Sequence, residues 1–186
     1  MNVYTKETFI ELQKRTGAGT NRFCLKMDIQ KAKDLLCDCS QVLIDNKVNP
    51  MLLFGSLLGY YRDNDLIPHD VDMDIGVLDS NNIKKIYDLI EQGCFKKYGI
   101  LGIKDREFSL FRDGFYVDIY CFIKEGSRYL STLGYPLYFL EEKNFPLQKI
   151  NFLNVEFSTV RDINEYLVDR YGSDWKTPKE NHGSKF

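Results

Sequence analysis

The chain has 186 residues, the length of one domain, and 44% of them are hydrophobic, which excludes a disordered chain. Its 25 Lys and Arg residues are balanced by 27 Asp and Glu residues, for a net charge of −2. This balance disfavours a protein whose main role is to coat nucleic acid, because such proteins carry a basic excess or a basic stripe. We therefore expect no nucleic-acid partner.

The five cysteines and two histidines limit the chemistry that the chain can support. The cysteines are odd in number and irregularly spaced, and they include no CxxC pair. Neither a disulfide framework nor a structural zinc site is therefore indicated. A metal centre built from several histidines is excluded, because the chain contains only His69 and His182. If the protein is an enzyme, carboxylates are expected to carry the chemistry.

The sequence shows no pattern typical of a membrane span or an export signal. Its longest apolar stretch, 51–61, is interrupted by Gly and Ser and is far shorter than the ~20 residues of a spanning helix. The first residues lack the apolar core of a signal peptide. We expect a cytoplasmic protein without a transmembrane segment, and attachment to a membrane-bound partner or a lipid acceptor stays open.

The first part of the chain is predicted to be helical. Residues 1–27 are expected to form an N-terminal helical extension, and a longer helix is predicted to start at Asp28 and to end before Pro50. Residues at three- and four-residue spacing give this longer helix one apolar face. They are Ile29, Ala32, Leu36, Cys39 and Leu43.

A short buried strand and a helix are predicted next, followed by a strictly alternating segment. The strand covers 51–54, and the helix covers 57–62 with Ser56 as its N-cap. Residues 71–77 place Asp72 and Asp74 on the face opposite to the apolar side chains, which predicts a strand with acids on one side. Ser80 or Asn81 is expected to cap an amphipathic helix that runs to about residue 94.

The remaining chain is rich in predicted strands and ends in a helix. Strands are predicted at 99–104, 108–112 and 116–122, with a hairpin turn at Asp113-Gly114. A second hairpin is predicted at 149–152 and 155–158, around a turn at Leu153-Asn154. A final helix is predicted to begin at Asp162 and to stop at Gly172, followed by a tail at 179–186. These elements add up to a single α/β (α+β) domain over 28–178, with a mixed sheet flanked by helices.

Asp72 and Asp74 are the sharpest signal of a functional site. Two carboxylates at positions i and i+2 of a strand lie on one face, about 6.6–6.8 Å apart along the backbone. Their oxygens can share hard divalent cations such as Mg²⁺ or Mn²⁺. The alternative is that they form an ordinary solvated face of the sheet.

Gly55-Ser56 lies between the predicted strand and helix and favours the functional alternative. Backbone N–H groups, a hydroxyl and a helix N-terminus together form a good phosphate site, although a Gly-Ser pair alone is more often a simple cap. An Asp-x-Asp strand that follows such a turn is typical of the nucleotidyltransferase fold. Asp118 lies on a later alternating strand with Tyr116 and Tyr120, and it supplies the third acid that such sites use.

The centre of the chain resembles the signature of the LicD family, which includes the fukutin-related transferases; the matching segment is 55–77, GSLLGYYRDNDLIPHDVDMDIGV. The family signature has Gly-Thr or Gly-Ser, then Leu-Leu-Gly, an Arg, Ile-Pro-Trp and an Asp-rich strand. The residues that fill it here are Gly55, Ser56, Leu57, Leu58, Gly59, Arg62, Ile67, Pro68, Asp70, Asp72 and Asp74. Residues 117–119 match a later acid strand and 166–178 resemble the closing segment, so the resemblance covers roughly 28–178.

The sequence departs from this signature at two positions. His69 stands where the family usually has Trp, and Val71 replaces one Asp of a frequent run of three. The loss of an acid at position 71 is tolerable, because alternation points this residue toward the apolar face. His69 could contact a phosphate or an acceptor, and a structural role is an equally good interpretation.

The resemblance implies a metal-dependent transfer of a phospho-alcohol group, such as phosphocholine, ribitol phosphate or glycerol phosphate, from a CDP-activated donor to a hydroxyl of a sugar or glycan acceptor. Asp72, Asp74 and Asp118 would hold Mg²⁺ or Mn²⁺, and Asp118 could instead act as the base. The resemblance assigns the donor phosphates to Gly55 and Ser56. Arg62 would also contact a phosphate, unless it forms only a surface salt bridge.

Two other functions are considered beside this one. The same acids could transfer NMP from an NTP to a small molecule or a protein, in which case the chain is a nucleotidyltransferase. A binding module with an inactive site is disfavoured, because the set of three acids is intact. The short chain leaves little sequence for an acceptor domain, so a small acceptor, a partner protein or a homo-oligomer is expected to complete the acceptor site.

Overall fold

The computed structural model describes residues 28–68, 70, 72–95, 97, 99–103, 107–113, 115–131 and 139–178. The predicted N-terminal extension (1–27), the predicted tail (179–186), His69, Val71 and Gly114 lie outside the described residues. Over those ranges the chain forms four α-helices and nine β-strands. In chain order they are α1 (Ile29–Asp45), β1 (Met51–Leu52), α2 (Phe54–Asp63), β2 (Asp72–Leu78), α3 (Ser80–Glu91), β3 (Gly99–Ile103), β4 (Glu107–Arg112), β5 (Phe115–Glu125), β6 (Arg128–Ser131), β7 (Phe139–Glu141), β8 (Gln148–Phe152), β9 (Val155–Thr159) and α4 (Ile163–Tyr171).

The nine strands form one mixed sheet with the order β3-β4-β5-β2-β1-β9-β8, and β6 pairs with both β5 and β7. The β2–β5 and β1–β9 pairs are parallel, whereas the other pairs are antiparallel. Parallel pairing requires a crossover connection, and α3 lies in the crossover from β2 to β5 and packs against both strands. The mixed α/β fold that the sequence predicts is therefore confirmed.

Helix α1 forms as its periodicity predicts. Asp28 caps it by accepting a hydrogen bond from the Lys31 N–H, and the helix ends before the segment that leads to Pro50. Its buried face contains Ala32, Leu35, Leu36, Cys39, Ser40 and Leu43. This face packs against β5 and β9 and belongs to the hydrophobic core on which the central strands rest.

Two predicted turns and caps near the C-terminal end are confirmed. Leu153 and Asn154 connect β8 to β9 with positive φ angles of 54° and 63°, which suits the twist of a tight hairpin. Asp162 caps α4 by accepting a hydrogen bond from the Glu165 N–H, and the helix ends at Gly172, whose φ is 96°. Glycine tolerates this left-handed backbone because it has no Cβ.

Two predicted caps are wrong by one to three residues. Helix α2 begins at Phe54 with Leu53 as its N-cap, so Ser56 lies inside the first turn and does not cap it. Helix α3 is capped by Asp79, whose side chain accepts a hydrogen bond from the Asn81 N–H, and it ends at Glu91. In the first case the strand ends early, because Phe54 adopts a φ of 47° and turns the chain into the helix.

Within the described ranges, none of the four helices combines the length and the apolar character that crossing a bilayer requires.

Candidate active site

Three predicted acids meet where β2 and β5 run side by side. The parallel register places Asp74 opposite Asp118 and Asp72 opposite Tyr116. One carboxylate oxygen from each of Asp72, Asp74 and Asp118 lies within 4.8 Å of the other two. The carboxylate of Asp118 is therefore on the same side of the sheet as the other two, as the alternation of β5 predicts.

Asp74 is the most constrained of the three acids. Its side chain is 7% exposed, and it accepts hydrogen bonds from the Gly55 N–H at 2.9 Å and from the Tyr120 hydroxyl at 3.2 Å. The N–H of Asp74 donates to the Ser56 hydroxyl oxygen at 2.8 Å. The contacts come from the start of α2 and from β5, so two separate elements fix one carboxylate.

Burial raises the pKa of Asp74 from 3.8 to about 7, and the neighbouring charge of Asp72 adds to the rise. The hydrogen bonds from Gly55 and Tyr120 and the positive charge of Arg170 lower this pKa and offset part of the effect. A desolvated carboxylate beside a second one is unfavourable without a cation. The donor set, three carboxylates in one cluster, fits a hard divalent metal, which takes oxygen ligands.

The carboxylate of Asp118 is held by a hydrogen bond from the neighbouring strand β4. Asp118 is 8% exposed, and its Oδ1 accepts a hydrogen bond from the hydroxyl of Ser109 on β4. Ser109 is the residue directly opposite Asp118 in the antiparallel β4–β5 register. The hydroxyl therefore limits the orientations that the Asp118 carboxylate can adopt.

The start of α2 approaches the acids so closely that a side chain at position 55 would contact two of them. A Cβ on Gly55 would lie 2.8 Å from Asp70 Oδ2 and 3.2 Å from Asp74 Oδ2. Asp70 is thus a fourth carboxylate beside the cluster. The preceding residue, Phe54, has a φ of 47°, a conformation that is rare for a bulky side chain. Strained backbone of this kind concentrates at functional sites.

The last turn of α4 borders the same cluster. The guanidinium carbon of Arg170 lies 3.9 Å from the centroid of the Phe54 ring, and Tyr166 packs against that ring at 6.4 Å between centroids. Burial raises the pKa of Tyr171 well above its usual value, and the charges of Asp74 and Asp70 contribute to the rise. Helix α4 therefore brings two phenols and one cation to the acids.

The structure does not bring Arg62 to the acids. This arginine lies in the last turn of α2, at the opposite end from Gly55, and its guanidinium forms an ion pair with Asp63 at 2.7 Å. Gly55 and Ser56 do lie at the acids, where both contact Asp74. The contacts of Gly55 and Ser56 with a donor phosphate, and of Arg62 with a phosphate, stay predictions.

Sequence reasoning identified the three acids but missed most of their supporting residues. Asp70 stood in the matched signature without a role, and Tyr120 shared the face of Asp118 without a role. The hairpin pattern could have identified Ser109, since it predicts which residue of β4 faces Asp118. Tyr171 stood in the segment that resembles the closing part of the family, without a role, and no signal in the sequence pointed to Arg170.

Comparisons with known proteins agree with the resemblance seen in the sequence. The model of the family described as LicD/FKTN/FKRP, nucleotidyltransferase domain, matches residues 47–161. The uncharacterized protein RT0683 of Rickettsia typhi is 31% identical over 125 residues, which cover 66% of this chain and 39% of that protein. The uncharacterized protein RP689 of Rickettsia prowazekii is 27% identical over 128 residues, which cover 66% of this chain and 47% of that protein.

The chain thus spans less than half the length of these two relatives. Among solved structures, the lincosamide antibiotic adenylyltransferase LnuA, determined with lincomycin bound, aligns with a TM-score of 0.49 at 15% sequence identity. The alignment covers 68% of this chain and 78% of that one.

Proposed function

Because the chain belongs to the LicD/FKTN/FKRP nucleotidyltransferase-domain family, we propose that it is a metal-dependent phosphotransferase. It moves a phospho-alcohol group, such as phosphocholine, ribitol phosphate or glycerol phosphate, from a CDP-activated donor to a hydroxyl of a glycan or a small sugar. The observation that carries the proposal is the cluster of Asp72, Asp74 and Asp118, whose oxygens lie within 4.8 Å of one another. A cluster this tight on two central strands suits metal-assisted phosphoryl transfer.

The three carboxylates are the proposed ligands of Mg²⁺ or Mn²⁺. A divalent ion held by them would neutralise charge on the diphosphate of the donor and on the leaving nucleotide. The protein supplies the orientation of these ligands. Gly55 and Tyr120 hold the Asp74 carboxylate from two sides, and Ser109 holds that of Asp118.

Asp118 has a second proposed role, as the base that accepts the proton of the attacking hydroxyl. In either role its carboxylate must stay beside Asp74, and the paired register of β2 and β5 maintains this arrangement. Ser56 also stabilises the site, since its hydroxyl oxygen accepts a hydrogen bond from the Asp74 N–H. Its hydroxyl hydrogen remains the group that could reach a donor phosphate.

The alternative is nucleotidyl transfer, in which the same acids pass NMP from an NTP to a small molecule or a protein. It is favoured by the description of the matched domain as a nucleotidyltransferase domain. The two reactions differ in which side of the diphosphate remains on the acceptor. The same carboxylates serve both, because each reaction develops negative charge on bridging phosphate oxygens.

A label-transfer assay separates the two reactions. The protein is incubated with Mg²⁺ and a panel of sugar acceptors, together with CDP-choline labelled in the choline or with CTP or ATP labelled in the α-phosphate. Transfer of the choline label supports the phosphotransferase, and transfer of the α-phosphate label supports the alternative. Asp74→Asn is the inactive control, and label transfer by this variant at the wild-type rate would contradict both.

The acceptor is proposed to be a small sugar or a glycan that another protein presents. Among the described residues, β2, β5, α2 and α4 contribute the side chains that surround the acids. A partner protein or a second copy of the chain is a proposed source of further acceptor contacts.

A further inference from the structure

Arg170 is a cation placed beside the acid cluster by a packed aromatic ring. Its guanidinium carbon lies 3.9 Å from the centroid of the Phe54 ring. Phe54 directly precedes Gly55, whose N–H donates to Asp74 Oδ2 at 2.9 Å. The backbone that positions Asp74 and the ring that supports Arg170 therefore belong to consecutive residues.

A second set of contacts fixes the same arrangement. Tyr120 packs edge-on against Phe54 with 4.7 Å between ring centroids, and its hydroxyl donates to Asp74 Oδ1 at 3.2 Å. Tyr166, one turn before Arg170 on α4, also contacts Phe54, with 6.4 Å between ring centroids. Two phenol rings and the guanidinium of Arg170 therefore pack on Phe54, the residue that precedes Gly55.

The charged groups near Arg170 indicate which kind of ligand it binds. Asp70, Asp72, Asp74 and Asp118 bring four carboxylates to one site. A divalent ion held by these acids would neutralise part of the charge of a diphosphate, and the phosphate oxygens would still need hydrogen-bond donors from the protein. A guanidinium offers a planar pair of N–H groups that matches two phosphate oxygens, and it also stacks on aromatic rings, as Arg170 does on Phe54.

We propose that Arg170 binds the diphosphate of the nucleotide-activated donor. This inference rests on the proposed function only in that the donor contains a diphosphate, which CDP-alcohols and nucleoside triphosphates share. It assigns to α4 the contact that the sequence assigns to Arg62. Arg62 lies at the opposite end of α2 from Gly55, whereas Arg170 lies against the ring of Phe54, and its charge acts on Asp74.

Calorimetric binding of magnesium pyrophosphate tests the proposal without any turnover. Arg170→Met keeps the apolar contact with Phe54 and removes the charged fork. We expect its affinity for magnesium pyrophosphate to fall by about tenfold to a hundredfold, the usual effect of losing a hydrogen bond to a charged group. Arg128→Met is the matched control, because Arg128 also stacks on a phenyl ring, that of Phe139 at 4.9 Å, and pairs with Glu141. It should bind magnesium pyrophosphate like the wild type.

Binding of Mn²⁺ alone distinguishes direct contact from a positioning role. Removal of a positive charge beside the carboxylates should leave the affinity for Mn²⁺ unchanged or increase it. If Arg170→Met weakens binding of Mn²⁺ and of pyrophosphate together, Arg170 maintains the acid cluster and the proposal is overturned. Unchanged pyrophosphate affinity in Arg170→Met also overturns it.

Arg170→Lys provides the test if the Met variant does not fold. Lysine keeps the charge but loses the planar fork, so we expect pyrophosphate to bind several-fold more weakly while Mn²⁺ binds as in the wild type. Wild-type pyrophosphate affinity in the Lys variant would overturn a contact through the fork. These results are independent of the label-transfer assay: loss of pyrophosphate binding in Arg170→Met with no transfer from CDP-alcohols would contradict the phosphotransferase and uphold Arg170.

Discussion

Replacing Asp74 by Asn should stabilise the metal-free protein above neutral pH while abolishing its activity. The amide fits the same contacts, since its oxygen can accept the Gly55 N–H and its NH₂ can donate to the Tyr120 hydroxyl. The variant therefore removes one charge and keeps a hydrogen bond at both contacts, with the Tyr120 hydroxyl as acceptor where it donates to Asp74 in the wild type. What it loses is an anionic ligand of the proposed metal.

The size of this effect follows from the pKa of Asp74, which burial and the charge of Asp72 raise from 3.8 to about 7. The folded protein holds this proton more tightly than the unfolded chain does. Below pH 3.8 both forms are protonated, and the group contributes nothing to the pH dependence of stability. Between about pH 4 and pH 7 the unfolded chain ionises first, so the free energy of unfolding falls as the pH rises.

Above pH 7 both forms are ionised, and the full cost of the buried charge is present. One pKa unit corresponds to about 1.4 kcal/mol, so the rise from 3.8 to about 7 amounts to up to about 4 kcal/mol. For a protein of this size, 1 kcal/mol changes the melting temperature by roughly 2–4 °C. The Asp74→Asn variant should therefore melt up to about 8–16 °C above the wild type at pH 8 in EDTA, an estimate from the same relation.

The assay is thermal denaturation of both proteins at pH 5 and pH 8, with EDTA and constant ionic strength. At pH 5 the gain should be less than half of the gain at pH 8. Asp88→Asn, which neutralises an exposed carboxylate on α3, is the control and should show no comparable pH dependence. Addition of Mg²⁺ at pH 8 should raise the melting temperature of the wild type and leave that of Asp74→Asn unchanged.

An equal gain at the two pH values would refute the assignment of Asp74 as a desolvated acid. A variant that melts below the wild type at pH 8 would show that the charged form of Asp74 is a structural requirement of the fold. In that case its hydrogen bonds with Gly55 and Tyr120, and not a metal, would explain why an acid is buried on β2.

Three other perturbations test the site. Binding of CDP-choline or CTP, followed as a thermal shift, should need a divalent cation and disappear in EDTA; equal binding without metal would contradict the ligand assignment. Gly55→Ala should destabilise the fold by roughly 1–3 kcal/mol and weaken Mn²⁺ binding, because the new Cβ would meet Asp70 and Asp74; unchanged melting and Mn²⁺ affinity would contradict the close approach. Asp118→Asn should weaken metal-dependent donor binding together with turnover if Asp118 is a ligand, and should lower transfer alone, by about 10²–10⁴-fold, if it is the base. Wild-type turnover in this variant would exclude both roles.

The acids could be located from the sequence because strand geometry places alternate residues on one face. The alternation at 71–77 and 116–122 predicts two strands that each present acids on one side. The structure adds that these strands are parallel neighbours with Asp74 opposite Asp118. That pairing depends on the crossover through α3 and on the order of the whole sheet, and local patterns do not contain this information.

The exact start of α2 was less predictable, for a physical reason. Gly-Ser after a buried strand favours a helix cap, and this pattern predicts Ser56 as the N-cap. In the structure Phe54 adopts a left-handed φ and starts the helix three residues earlier, with its ring in contact with Tyr120, Tyr166 and Arg170. Tertiary contacts outweigh the local preference here, because the strained residue gains packing that no isolated segment could provide.

Arg170 on α4 could not be identified from the sequence, whereas the aspartates of β2 and β5 could. Carboxylates in pairs on an apolar strand are unusual, whereas an arginine in the last turn of a helix is favoured by the helix dipole alone. From the sequence, Arg170 can be explained either by the helix dipole or by a role in the site. Its contact with the ring of Phe54, a residue of α2, favours the role in the site.

The acids and the cation lie close together because α2 packs against both β2 and α4. The first residue of α2, Phe54, contacts Arg170, and the second, Gly55, contacts Asp74. A substitution that shifts the start of α2 should therefore impair metal and diphosphate binding together, whereas loss of Arg170 alone should impair only the second.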